Sequence, residues 1–294
     1  MTDAIALIDR LAQQHSLTLT EYQTLIEAEC EETRTYAAQR AAAVRQAIYG
    51  TDIFLRGLIE VTSYCRNDCY YCGIRKSNQA CQRYLLSDKD ILTCCAEGYR
   101  LGFRTFVLQG GEGILPVPRV CALVSTIKKR YPDCAVTLSL GEYSREEYQQ
   151  MFDAGADRYL LRHETANQAH YEKLHPASMS FAHRMQCLQD LKDIGFQVGC
   201  GFMVGSPYQT SACLRGSLFV LSAHPELRVK VVPVDLARIV LALRVGLFFL
   251  YLGFPGPVFF APVAAGWVPV RAVRRAYRLY HAGAAGFPSA AQYP

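Results

Sequence analysis

From Leu58 onward, short apolar runs alternate with amphipathic stretches of helical period, and this alternation constrains the fold more than any other feature. The expected strands are Leu58 to Thr62, Thr105 to Leu108, Ala135 to Leu140, Arg158 to Arg162 and Gln197 to Val204, short runs of the kind that buried parallel strands show. Between them the spacing predicts helices. Asp88 to Leu101 puts Ile91, Cys95 and Tyr99 on one face, and Ser144 to Ala154 opens with a capping box of Ser144 and Glu147. Five βα units in succession imply an α/β fold with a parallel sheet, wound open or as a barrel. Residues 3–49 instead have apolar positions at three- and four-residue steps, which predicts preceding helices, with Thr20 and Gln23 placed for a capping box.

A barrel offers its ligands the carboxyl ends of its strands. Unusual groups follow each expected strand: Cys65, Gln109-Gly110-Gly111-Glu112, Ser139 to Glu142, His163-Glu164-Thr165 and Gly205-Ser206-Pro207. The first is the most informative, because Cys65, Cys69 and Cys72 put three thiols within eight residues. A cubane cluster has four irons, so three protein thiolates leave one iron open to a ligand from outside the chain. The same residues also admit a zinc site completed by a distant side chain, or three incidental thiols, and Cys81 could supply a fourth ligand.

The chain has twelve cysteines. Its first residues lack the basic flank and apolar run of a secretory signal, so the expected compartment is the cytoplasm, where thiols stay reduced. Cys94, Cys95, Cys121, Cys187 and Cys200 lie in apolar patterns and read as small buried hydrophobes. A formal charge of +5 gives no overall basic character of the kind that nucleic acid requires.

Arg162, His163 and Glu164 leave the fourth strand together, with Arg184 further on. Arg162 or Arg184 could clamp a carboxylate through the planar guanidinium fork, and Glu164 could take an ammonium or a ribose hydroxyl. An internal ion pair of Arg162 with Glu164 fits the same residue types. His163, His170 and His175 share no short spacing and read as structural.

Several long strings resemble radical S-adenosylmethionine (SAM) enzymes, and within them the FeFe-hydrogenase maturase family HydE: LIEVTSYCRNDCYYCGIRKSN from Leu58, GFRTFVLQGGE from Gly102, AGADRYLLRHETAN from Ala154, YEKLHP from Tyr171 and GFMVGSPYQT from Gly201. The resemblance spans roughly residues 1–210. It implies a (βα)8 barrel, a 4Fe-4S cluster on Cys65, Cys69 and Cys72, and SAM chelated to the open iron through its amino and carboxylate groups. Tyr71, the aromatic residue before the last cysteine, Gly110, Gly111, Glu112, Ser139, Arg162, Glu164 and Arg184 would line the SAM site or its neighbourhood. It further implies reductive cleavage of SAM and a role in assembling the dithiolate-bridged di-iron part of the hydrogenase active site. The substrate would be a small molecule or an iron complex, and the partners other maturases and an electron donor, with neither nucleic acid nor membrane. Some members carry a second cluster on C-terminal cysteines, whereas no cysteine follows Cys213 here. Methylornithine synthase and biotin synthase share the fold and the first motif, and an Fe-S protein without catalysis is the reading from another class.

These observations divide the chain into an N-terminal helical segment (1–50), a partial barrel with the cysteine loop (51–210) and an apolar, basic tail (211–294). From residue 209 there are nine Lys or Arg against two acids, and eight of the thirteen prolines. Helices in such a tail would lack charged outer faces, so the alternation is expected to fail there, through a shifted reading frame or an unusual replacement. Val245 to Ala265 runs 21 residues without a charge, long enough to cross a bilayer, but glycines and prolines interrupt it.

Overall fold

A computed structural model describes residues 2–51, 55–223 and 228–233. Three helices come first, α1 (Thr2–Gln14), α2 (Leu19–Glu27) and α3 (Glu31–Tyr49). The capping box of α2 uses Thr18 and Glu21, not Thr20 and Gln23. The helix starts two residues earlier because Thr18 is the residue with extended backbone, and Thr20 already lies inside the helix, its carbonyl accepting from the Thr24 hydroxyl.

The sheet is parallel throughout and runs β1 (Gly57–Thr62), β2 (Thr105–Gly110), β3 (Ala135–Ser139), β4 (Arg158–Leu160), β5 (Gln197–Val204), β6 (Arg228–Pro233), in that spatial order. A doubly wound sheet reverses its strand order at a switch point, and this one never does. With right-handed crossovers, consecutive order puts every connecting helix on one face, as in a barrel. The connecting helices are α4 (Asp88–Arg100), α5 (Val117–Arg130), α6 (Arg145–Asp153), α7 (Gln168–Leu174), α8 (Phe181–Ile194) and α9 (Ser211–Ala223). Neighbours pack side by side, α4 on α5, α5 on α6 and α6 on α8.

The core lies between sheet and helices. Phe106, Leu108, Val136, Leu138 and Tyr159 face Ile91, Cys95, Val120, Val124, Tyr148 and Leu191, all buried. Alternation then turns Gln109, Ser139, Leu160 and Arg162 to the other face, inside the arc of strands. Of the cysteines read as core, Cys95, Cys187 and Cys200 are buried, but Cys94 is exposed and Cys121 only partly covered. Cys94 and Cys95 are adjacent on α4, and a 100° step per residue cannot put both on the buried face.

The strand-helix alternation does not fail at Gln209. It continues through α9 and into β6, which pairs with β5 in parallel from Gly199↔Arg228 to Val204↔Pro233. Helix α9 carries no acid, as its sequence shows, yet it needs no charged outer face, because α2 packs against it. Residues 234–294, with the uncharged run Val245 to Ala265, lie outside the described residues.

Candidate functional site

The loop after β1 is bound along both its edges. Segment 82–86 runs back antiparallel to the end of β1, with Ser63 N–H donating to Tyr84 O (3.2 Å), Leu86 N–H to Val61 O (2.9 Å) and the Thr62 hydroxyl to Tyr84 O (2.8 Å). On the other edge lies the glycine segment that follows β2. Gly111 N–H donates to Thr62 O (3.4 Å), Arg66 N–H to Glu112 O (2.9 Å), and Glu112 N–H points at Cys65 Sγ (3.3 Å). This approach explains the glycine: a Cβ on Gly111 would stand 1.9 Å from Tyr64 O and 2.7 Å from Cys65 Cβ. Gly141, after β3, gives way in the same manner to the Glu112 side chain, whose Cγ would lie 2.1 Å from an added Cβ.

Cys65, Cys69 and Cys72 are all partly buried and free of disulfides. Burial, and then the neighbouring Cys72, pushes the Cys69 thiol up to about 12; burial, and then Cys65, also raises Cys72. Three thiolates so placed repel one another and are poorly solvated, and the positive charge of coordinated iron would offset both penalties and so keep the thiols deprotonated. Backbone N–H groups of Asn67 (3.4 Å) and Glu112 already point at Cys65 Sγ, and Met179 Sδ lies 3.6 Å from Cys69 Sγ. Among the described residues no three His, Cys, Asp or Glu side chains gather around one point as a single metal ion requires. A cubane, whose corners each take one thiolate, does not require this. The donor set fits such a cluster.

Beside the thiols is a buried charge network. Arg184, on α8, stands between Glu142 (Nε–Oε1 2.7 Å, without hydrogen-bond alignment) and Glu112 (Nη2–Oε2 3.7 Å), and all three are buried. Burial works against the Arg184 charge, but the two carboxylates outweigh it and its pKa rises. Arg66 reaches Glu112 Oε1 (3.0 Å) from the cysteine loop. Burial pushes Glu142 up, opposed by Arg184.

At the end of β4 the internal ion pair is present, Arg162 Nε to Glu164 Oε1 at 3.3 Å, with Arg162 half exposed and Glu164 buried. Glu164 Oε2 has no hydrogen-bond partner among the described residues. Its backbone is left-handed, φ 64°, held by Glu164 N–H to Gly201 O (3.0 Å) and Met203 N–H to Glu164 O (2.9 Å). A strained non-glycine residue with an unsatisfied buried carboxylate oxygen is the mark of a group set to meet a ligand.

The Tyr71 hydroxyl donates to His175 Nε2 (3.0 Å), since His175 Nδ1–H is engaged by Tyr171 O (2.8 Å). Tyr71 is partly buried, and its hydroxyl pKa is raised by that burial and then by Glu164. His170 is likewise tied, to Thr165 Oγ1 (3.1 Å) and Pro207 O (2.9 Å). His163 is fully buried with neither ring nitrogen partnered, and burial, then Arg184, lowers its pKa to about 4. Ser139 ends β3 in register with Gln109.

The geometry thus gathers the three cysteines, Tyr71, Gly111, Glu112, Arg162, Glu164 and Arg184 at the carboxyl ends of β1 to β4, with Gly110 and Ser139 on the strand ends. Sequence reasoning named Glu142 only as the end of the group that follows β3, without a role, and missed Arg66 and Met179 as neighbours of the site; Met179 had no signal.

Residues 59–219, more than half of the chain, match the Radical SAM superfamily. The chain belongs to the radical SAM superfamily. Among curated relatives it is 42% identical over 185 residues to the FeFe hydrogenase maturase subunit HydE of Thermotoga maritima, covering 63% of this chain and 52% of the relative. It is 24% identical over 222 residues to the 3-methylornithine synthase of Methanosarcina acetivorans, 74% of this chain and 63% of that one. The chain therefore spans between about half and just under two thirds of these relatives' length. The radical SAM fold itself recurs in the crystal structure of methylornithine synthase (TM-score 0.71, 22% identity, 84% of this chain, 77% of that chain) and of HydG, a maturase of the FeFe hydrogenase (TM-score 0.70, 22%, 80% and 54%). Among the described residues no helix is long and apolar enough to cross a membrane.

Proposed function

We propose that this chain acts in the maturation of the FeFe-hydrogenase active site, with one 4Fe-4S cluster on Cys65, Cys69 and Cys72 and SAM at the cluster's open iron. When bound, the cluster supplies the single electron that splits SAM into methionine and a 5'-deoxyadenosyl radical. The chain's own residues hold and orient the cofactor. Gly110 and Gly111 let backbone carbonyls approach the SAM amino group closely. Glu164 offers its free Oε2 to an ammonium or a ribose hydroxyl, and the half-exposed Arg162 offers its fork to the methionyl carboxylate. Arg184 pairs with Glu112 and Glu142 beneath the glycine segment. Ser139 and Tyr71 close the sides. The substrate would be a small molecule or iron complex in the assembly of the dithiolate bridge, and the partners other maturases and a one-electron donor in the cytoplasm.

The observation that carries this reading is the lacing of the cysteine loop to the glycine segment, Glu112 N–H on Cys65 Sγ at 3.3 Å, in a chain 42% identical to HydE over 185 residues. The test is production of 5'-deoxyadenosine by the full chain, reconstituted without oxygen and reduced in the presence of SAM. Cleavage lost on replacing any one of the three cysteines is the expected result; cleavage that survives such a replacement would refute the assignment.

A further inference from the structure

Arg83 sits outside the cysteine motif, and no charge partner accounts for it. Its guanidinium donates to four backbone carbonyls: Nη1 to Ser63 O and Ile74 O (2.9 Å), Nη2 to Arg75 O (2.6 Å) and Asn78 O (3.1 Å). Ser63 is two residues before Cys65, and Ile74 and Arg75 are two and three residues after Cys72. One side chain therefore ties the entry of the cysteine loop to its exit. We infer that Arg83 is a positioning residue that sets the spacing of the three cluster thiols before iron arrives.

Three features support the role. First, Arg83 is mounted on a fixed base. Its neighbours Gln82 and Tyr84 are bonded to the end of β1, Ser63 Oγ donating to Gln82 O (2.9 Å) and Tyr84 N–H to Ser63 Oγ (2.9 Å). Second, the segment it grips is otherwise held by bonds within the cysteine loop itself: Cys72 N–H to Cys69 O (3.0 Å), Arg75 N–H to Cys72 O (3.2 Å), Lys76 N–H to Asn67 O (2.8 Å) and the Ser77 N–H to Asp68 Oδ1 (3.1 Å). Those bonds shape the turns but do not anchor them to the sheet. Third, only a planar fork with several N–H donors can serve four carbonyls at separate points; an ammonium presents its donors from one atom. The geometry, and not the positive charge, is the property that matters.

This inference rests on the cluster reading above, and its test is built so that each can fail alone. The cluster-free full chain is digested briefly with trypsin, and fragments ending at Arg75 and Lys76 are followed by mass spectrometry in the wild type, Arg83→Lys and Arg83→Ala. Both variants should be cut there about tenfold faster, because the exit segment opens locally, while the cluster-free melting temperature stays within a few degrees. After anaerobic reconstitution, both should lose iron to a chelator about 10–100-fold faster than the wild type. If the wild type takes up no cluster, the functional reading fails, and the trypsin rates still decide the role of Arg83. Arg83→Lys behaving as the wild type in cleavage would overturn the proposal, since charge alone would then suffice. Cleavage unchanged in both variants would overturn it too, as would cleavage hastened along the whole chain with a large drop in melting temperature.

Discussion

The two ends of the parallel sheet hold similar residue types in opposite states of satisfaction. At the amino end Lys128 Nζ donates to Cys134 O (3.0 Å) and both Asp157 oxygens (3.2 Å), Asp157 Oδ2 also accepts the Val136 N–H (2.7 Å), and Arg158 bonds to Gln197 (2.8 Å) and Thr105 (3.3 Å). These charges are paired within the chain and partly open to water. At the carboxyl end Glu112, Glu142, Glu164 and Arg184 are buried, Glu164 is left-handed, and polar atoms of Glu164 and His163 lack partners. Among the described residues, the amino end satisfies its charges and the carboxyl end leaves some of its buried polar atoms without partners.

The comparison breaks most visibly at the cysteines. Cys72→Ala should abolish cluster retention while moving the cluster-free melting temperature by only a few degrees, as measured by iron content and calorimetry. The next effect is at Arg184. Replacing it with Ala takes the shared cation from two buried carboxylates, leaving Glu112 only the more exposed Arg66, and should cost about 3–5 kcal/mol in denaturant unfolding, with weaker SAM binding. Lys128→Ala, its counterpart at the amino end, pairs in a partly exposed setting and should cost about 1 kcal/mol or less with SAM affinity unchanged. Equal costs for the two would erase the distinction between the ends. A smaller loss is expected at Gly111→Ala, about 1–3 kcal/mol from the forced backbone shift, but cluster retention should fall with it.

Much of this was legible because the signals are local. The five strands were readable to within two residues because short apolar runs bounded by turn residues have few alternatives, and the Ser144 and Glu147 capping box was read as it stands. The network of Glu112, Glu142 and Arg184 was not readable, since partners 42 and 72 positions apart carry no mark of pairing. Nor was Arg83, whose partners are backbone carbonyls that any residue supplies. Helix α9 was missed for a physical reason. An amphipathic pattern with a single charge, Arg215, looks unfit for water until another helix, here α2, is seen to cover it.

The same correction moves the proposed break in the tail. With the family match running to residue 219 and β6 to Pro233, a shifted reading frame would begin after β6. Translating the other two frames of the coding DNA beyond codon 233 should restore strand-helix alternation with acidic residues. If neither frame does so, the tail is native and the frame proposal is wrong.

The most direct test of the central claim is the electron paramagnetic resonance spectrum of the reduced, reconstituted full chain, recorded with and without SAM. Three thiolates and an open iron predict a 4Fe-4S signal that changes on adding SAM and disappears in the triple replacement of Cys65, Cys69 and Cys72. A signal that is indifferent to SAM, or a full cluster in the triple replacement, would contradict it.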